Sequence, residues 1–405
     1  LIFARVTLPL AAVNFLNQAS RAVMGVIGPL LAVEFALSAS ELGLLAAALF
    51  IGYAAAQLPV GLALDLYGAR RVQAVLALVT GAGFALSAFA ADPIWLGLGR
   101  FVTGLGISAG LMAILKANTQ WYPRDRVAAV TGTGVFIGAL GGMMATLPLG
   151  AILPLTGWRG AFAILALMAL LVAAWIWLSV PDAPPHATPP APRRLGAEIT
   201  AFGRVFVHPH FLRYAPAIAL VAVLNFTWQG LWAGPWLRDV AGLGEGARAV
   251  VLFAYAGGSA AGSLITGQLA SLAQARGHSP FLVSWCAMGV QFALQAVLLL
   301  DLVAGVPPLC LLWAAFAFCG ASSTAGYTAV AQGFGAELAG RVATAINFAM
   351  LCIVFLLQYA IGEILDLWPR DASGGWNAVG YSWAFGLTML MQVAAVLWML
   401  RGRTR

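Results

Sequence analysis

The chain predicts an all-α membrane protein of about twelve transmembrane helices in two pseudo-symmetric six-helix bundles, on three observations. It has 405 residues, of which 62% are hydrophobic and 9% charged, and a mean hydropathy of +0.92. A soluble domain carries about 25% charged residues. At about 20 residues per crossing, its apolar runs number about twelve. A pattern in the first run, Asn14-Phe15-Leu16-Asn17-Gln18, returns as Asn225-Phe226-Thr227-Trp228-Gln229 at the same place in the second half. The 46 glycines suit close helix packing in lipid.

The basic residues follow the bilayer rather than a nucleic acid. The formal charge is +7, but the arginines lie in short loops and tails on alternate sides of successive spans. They are Arg70 and Arg71, Arg124 and Arg126, Arg193, Arg194, Arg204 and Arg213, Arg276, and Arg401, Arg403 and Arg405. The positive-inside rule then places both termini and the central linker in the cytoplasm, with the protein in the cell (inner) membrane. The opposite loops carry acids or balanced pairs: Glu34 and Glu41, Asp92, Asp301, Arg238 with Asp239, Arg370 with Asp371. The first span shows no cleavage site and is expected to be retained rather than removed as a signal peptide. Cys286, Cys310, Cys319 and Cys352 fall in apolar spans and read as buried thiols without metal-ligand spacing. His186, His208, His210 and His278 fall in loops, so a histidine proton relay is not expected.

The first span runs from about Leu8 to Leu31, roughly 33 Å as a helix. At about 100° per residue, Asn14, Asn17, Gln18 and Arg21 share one narrow stripe. Arg21 falls near the bilayer midplane, where a charge costs several kcal/mol unless it faces protein or water. In the second copy Trp228 takes the angular place of Asn17 and Trp232 that of Arg21. A cation in one half thus faces an indole wall in the other.

Tyr53 and Gln57, four apart in the second span, share a face, and Pro59 is expected to bend the helix. The turn that follows reads Gly61-Leu62-Ala63-Leu64-Asp65-Leu66-Tyr67-Gly68-Ala69-Arg70-Arg71. A turn this short needs Gly68, and Asp65 at a helix end can pair with cations or cap a neighbouring helix. The stretch resembles the G-x-L-a-D-r-x-G-r-r signature of the major facilitator superfamily. Gly61, Asp65, Gly68, Arg70 and Arg71 match, and Leu66 stands where a basic residue is usual. The resemblance implies a conformational latch, the alternative being an ordinary charged turn.

Further matches follow in order. Arg100-Phe101-Val102-Thr103-Gly104-Leu105-Gly106 resembles the family's R-x-x-q-G-x-G element, with Arg100 snorkelling to the outer interface, packing on the first span or serving coupling. Lys116, the sole lysine, lies roughly 160° round the helix from Arg100, so the two cannot share a cavity. It either snorkels at the cytoplasmic end or draws anions into an inward-open mouth, and is grouped here with the latch and coupling residues. Trp121-Tyr122-Pro123-Arg124-Asp125-Arg126 is similar to a turn common among family members that carry organic anions. Gly134, Gly138, Gly141 and Gly142 resemble an antiporter element, with Ala139 in place of its proline; the alternative is a small-residue packing face. Gly157-Trp158-Arg159 is another turn similar to the family's.

Residues 1–180 are expected to form the first bundle, 181–210 a Pro/Arg-rich cytoplasmic linker, and 211–405 the second bundle. In the second half Ser259 and Ser263 stand where Tyr53 and Gln57 stood, and Ser271 replaces Asp65. Tyr327 falls in the tenth span. Asn347 and Gln358 share one azimuth of the eleventh, about 20° apart.

No G-K-[S/T] phosphate loop, H-E-x-x-H or G-x-S-x-G is present, so no enzyme, cofactor or metal is expected. What remains is a secondary transporter working by alternating access around a site between the bundles. None of the 14 acids falls mid-span, so a cation would find no counter-charge, whereas Arg21 can hold a carboxylate or phosphate through two hydrogen bonds. The expected substrate is a small organic anion with an apolar body stacked on Trp228 and Trp232. Asn14, Asn17, Gln18, Tyr53, Gln57, Asn225, Gln229, Tyr327, Asn347 and Gln358 would orient it, unless they bond helix to helix instead. A proton or sodium ion would couple the movement, and a monomer is expected. Two other readings stay open: a proton-coupled exporter of hydrophobic drugs or metabolites, and a non-transporting sensor on a transporter scaffold.

Overall fold

The structure, a computed structural model, describes residues 2–182, 195–371 and 374–401. The proline-rich heart of the expected linker, with His186, Arg193 and Arg194, and the tail with Arg403 and Arg405 lie outside the described residues. So do the side chains of Arg124 and Asp125.

Among the described residues the regular structure is entirely helical. The first half comprises α1 (Leu8–Glu34), α2 (Ala39–Ala88), α3 (Pro93–Ile107), α4 (Gly110–Trp121), α5 (Arg124–Met144) and α6 (Leu147–Ser179). After α7 (Leu195–Phe206) the second half begins with α8 (Pro209–Thr227) and α9 (Ala233–Asp239), joined by a π-helical turn, Trp228–Trp232. It continues through α10 (Glu245–Ala275), α11 (Leu282–Leu299), α12 (Val306–Ala321), α13 (Ser323–Ala331), α14 (Ala336–Asp366) and α15 (Ala378–Arg401).

Among the described residues nine stretches are long and apolar enough to cross a bilayer. The 50-residue α2 is two crossings, because Gly68 (φ +79°) turns the chain in a conformation that side chains resist. Gly157 (φ +63°) does the same in α6, so α5 with the first part of α6 makes one crossing and the remainder another. With the more polar α1, twelve crossings result, as composition predicts.

Local sequence sets the boundaries. Ser38 and Glu41 form a reciprocal capping box at the start of α2, with Glu41 N donating to Ser38 Oγ and Ser38 N to Glu41 Oε2. Asp92 caps Ile94 and Trp95, and Pro93 opens α3.

Three expectations are corrected. The end of the expected linker is helix α7, whose Phe202, Val205 and Phe206 share a buried face, both phenylalanines packing edge-on against Phe348 of α14. The apolar spacing of those residues carried the signal, masked by the prolines before it. Cys286 is exposed on the outer surface of α11, a normal setting for a small apolar thiol against lipid. His210 is half-buried rather than free in a loop, and exposed His208 caps the start of α8; both rings lie against Phe334.

The halves meet asymmetrically. On the face away from α7, Asp366 at the end of α14 accepts hydrogen bonds from Ala39 N (2.8 Å), Ser40 N (2.8 Å) and Ser40 Oγ (2.6 Å), capping the start of α2. Arg370 donates to the Leu37 carbonyl beside it. Gly43 and Gly362 allow the contact, since a methyl on either would press into backbone of the other half. Toward the α7 face, α5 and α10 instead border a cavity of about 880 Å³ lined by Thr133, Phe136, Ser263, Gln268 and Ser271, among others. The molecule is closed on the Asp366 face and open on the linker face.

Candidate functional site

Arg21, at the midpoint of α1, is 7% exposed. Its guanidinium carbon lies 5.1 Å from the ring centre of Tyr53 on α2 and 4.4 Å from that of Phe226 on α8. The cation is therefore sandwiched between one aromatic ring from each half, an arrangement worth roughly 0.5–2 kcal/mol per ring depending on desolvation. Tyr53 and Tyr327 of α13 are its titratable neighbours. Among the described residues it has no ion-pair partner, and its Nε makes no hydrogen bond. A buried guanidinium held by ring faces keeps hydrogen-bonding capacity that an oxyanion can use.

Of the residues expected around it, the structure brings Tyr53 and Tyr327 to Arg21. Gln18 is half-buried beside Gly142, and Asn347 is half-buried on α14. Tyr327 also approaches the Met350 sulfur at 3.4 Å. Gln57, one turn from Tyr53, is 1% exposed with neither amide atom hydrogen-bonded. Asn14 packs against Gly138 of α5, and Asn17 donates to the Ile107 carbonyl at 3.3 Å, so both join helices within the first half. The glycines of α5 thus serve as a packing face.

The indole wall is a correction. Trp228 and Trp232 are fully buried in packing contacts, and the rings over Arg21 are those of Tyr53 and Phe226 instead. Trp228 stacks on Phe385 (4.1 Å, 11°) and leans on Trp313; Trp232 meets Trp376 edge-on and reaches Gly43 under the closed face. The physical reason is the π-helical turn that begins at Trp228, which breaks the α-helical register on which the projection from the first span relied. Asn225, just before the turn, is engaged by the Tyr255 hydroxyl at 3.0 Å, and half-buried Gln229 presents its carbonyl to Gly25. Gln358 shares azimuth with Asn347 but not depth, since 11 residues of helix rise about 16 Å. It donates to the Thr227 carbonyl at 3.1 Å within the closed face. Phe226, which the sequence analysis passed over, supplies the aromatic face; its identity with Phe15 in the repeated N-F-x-x-Q was the available signal.

At the linker face, Lys116 of α4 is fixed rather than free: its Nζ bonds Asp65 Oδ1 at 2.6 Å and the Leu64 carbonyl. Arg70 donates to the Trp177 carbonyl, and Arg70 and Arg71 both pair with Asp182 at the end of the sixth crossing. Gly61 has open space around it and Gly68 makes the turn. The Ser271 hydroxyl, in the position of Asp65, returns to the carbonyl of Gly267. Arg100 does not snorkel: it is 1% exposed and donates to the Ser20 carbonyl at 2.7 Å, tying α3 to α1 one residue before Arg21.

Two six-crossing halves with the buried Arg21 cation at their junction, open on one side and sealed on the other, define a multi-pass membrane protein built like a carrier. The sequence profile of the Major Facilitator Superfamily matches residues 10–358, and the chain belongs to that family. It is similar to solved carriers over nearly its whole length. A bacterial homologue of the human lysosomal transporter Spinster in an inward-facing, unoccupied conformation gives a TM-score of 0.75 at 21% identity, covering 99% of this chain and 97% of that one. The xylose transporter XylE of E. coli, partially occluded and inward-open, gives 0.71 at 16% identity, covering 100% of both. At these identities the likeness concerns the fold alone.

Among curated relatives, a probable sulfoacetate transporter, SauU of Cupriavidus necator, is 31% identical over 42% of this chain and 40% of its own length. The 4-hydroxybenzoate transporter PcaK of Pseudomonas putida is 31% identical over 44% and 40%, and human monocarboxylate transporter 11 is 32% identical over 64% and 54%. The match spans about half the length of these relatives, or less.

Proposed function

We propose that this chain is a secondary transporter of small organic anions, with Arg21 as the group that receives the acid. The observation that carries this reading is the guanidinium itself: buried at the junction of the halves, facing rings from both, and without a carboxylate partner among the described residues. The names of the relatives, which refer to sulfoacetate, 4-hydroxybenzoate and monocarboxylates, support an acid group on the substrate. Tyr53, Phe226 and Tyr327 offer flat surface for an apolar body, and Gln18, Gln57 and Asn347 offer hydrogen bonds. The open linker face, read as cytoplasmic from its arginines, and the Asp366-capped face opposite would be the two gates of alternating access. The Asp65–Lys116 and Arg70–Asp182 pairs would hold the first half rigid while the gates exchange. Nothing in this reading calls for an enzyme or cofactor.

One observation favours a second reading. Rings already hold Arg21 from two sides, which is what a purely structural cation in an exporter of hydrophobic compounds would need. Thermal-shift titration of the purified protein with benzoate, 4-hydroxybenzoate, sulfoacetate and a lipophilic cation separates the two. The acids should stabilise the wild type and not Arg21→Gln; equal stabilisation of both, or a response to the cation alone, overturns the anion reading.

A further inference from the structure

We infer that Arg248, at the start of α10, forms a second anion site: a receiving station on the route from the sealed face to Arg21. This inference rests on the anion reading of Arg21.

Arg248 borders a small cavity of about 30 Å³ between the halves. Gly25, Leu30 and Gly150 line it from the first half, and Glu245, Arg248 and Leu252 from the second. The Arg248 side chain is only 12% exposed, and its Nε and Nη1 are buried without a hydrogen-bond partner. Its one acidic contact is Glu245, 3.9 Å from Nη2 and 74% exposed. That distance is beyond a hydrogen bond, and a solvated carboxylate holds little. Its other charged neighbours are Arg238 and Asp239. Asp239 is already occupied by Arg238, the Tyr381 hydroxyl and Trp376 N. A buried guanidinium with two donors left over is destabilising unless another state of the molecule uses them.

Its place along the helices says which use. Gly25 lies one turn beyond Arg21 on α1, and Leu252 one turn beyond Arg248 on α10. A methyl on Gly25 would touch Leu252, so the two helices meet at that level. The two guanidinium-bearing residues are therefore about two turns, roughly 11 Å, apart along the axis. A cavity of this size holds about one water and no organic acid. Arg248 becomes available only when the Asp366 face opens. Its unpartnered Nε and Nη1, on different edges of the guanidinium, then serve as separate charged donors that attract an arriving carboxylate or sulfonate and steer it inward to Arg21.

The test uses the full chain in proteoliposomes oriented by a terminal tag, with radiolabelled 4-hydroxybenzoate and sulfoacetate as probes at low salt. Arg248→Gln should raise KM tenfold or more for entry from the Asp366 face and leave Kd at the linker face within twofold. Arg248→Lys should recover part of the loss, because charge is kept while the number and direction of the donors are not. The unchanged linker-face Kd shows that each variant is folded. Equal effects at both faces, or no effect at either, overturn the station while leaving the anion reading of Arg21 intact. Absence of saturable flux of both probes in the wild type removes the two together.

Discussion

The helices that open the two halves, α1 and the broken α8–α9, began from one pattern and now do different work. In α1 the stripe ends in Arg21, a charge flanked by a ring from each half, with Tyr327 close by. In the second copy the same stretch is absorbed by packing: Asn225 accepts from Tyr255, Trp228 stacks on Phe385, and Trp236 sits edge-on to Trp313. Phe226 crosses to the cation, while Trp232 crosses to Gly43 under the closed face. A pseudo-repeat therefore preserves the scaffold position of a residue, not its role. One π-helical turn is enough to rotate an aromatic set away from the cavity and into the core.

The sharpest way to break this comparison is to remove one residue from each copy. Arg21→Gln should lower acid affinity about 100-fold or more, as expected from losing two charge-assisted hydrogen bonds of about 1.5–3 kcal/mol each. Its thermal stability without ligand should hold or rise, because a buried charge without a counter-ion is removed. Trp228→Ala should do the reverse. Loss of a fully buried ring costs about 3–5 kcal/mol, seen as a drop in thermal stability in detergent, while affinity per folded molecule stays within about threefold. A Trp228→Ala protein that folds normally but loses acid binding would restore the indole wall.

A smaller effect is expected at the gate. Asp366→Asn keeps the shape but weakens three cross-half hydrogen bonds and removes a negative charge from the start of α2. Opening of that face should become easier by about 1–2 kcal/mol, roughly tenfold. Faster amide hydrogen exchange over residues 37–45 and 358–366, with the rest unchanged, would register it. Smallest is Phe226→Leu, which removes one ring from the sandwich. It should raise KM about two- to fivefold without changing stability much; no change in KM would mean Phe226 packs beside the site without shaping it.

Much of this was legible in the residues. Composition sets the membrane class, Gly68 and Gly157 mark turns that only a residue without Cβ makes easily, and a single mid-span charge marks where the halves must meet. The partners of that charge were less legible. Tyr53 followed from spacing along one helix, but Phe226 and the cap at Asp366 join residues far apart in sequence, and nothing local to either stretch encodes the pairing. The pairing of Lys116 with Asp65 is similar: each was visible as a charge near a helix end, and only the approach of α4 to α2 made them one group.

The sequence alone determined that the chain crosses a bilayer many times and that Arg21 would lie at mid-depth, because hydrophobic transfer and helical rise are properties of each segment by itself. The tertiary structure decided which side is sealed, which aromatic rings meet the cation and which of the repeated polar residues are spent on packing. Those depend on contacts between segments, and a change of register over five residues, Trp228–Trp232, reassigns them without altering any segment's propensity to span the membrane.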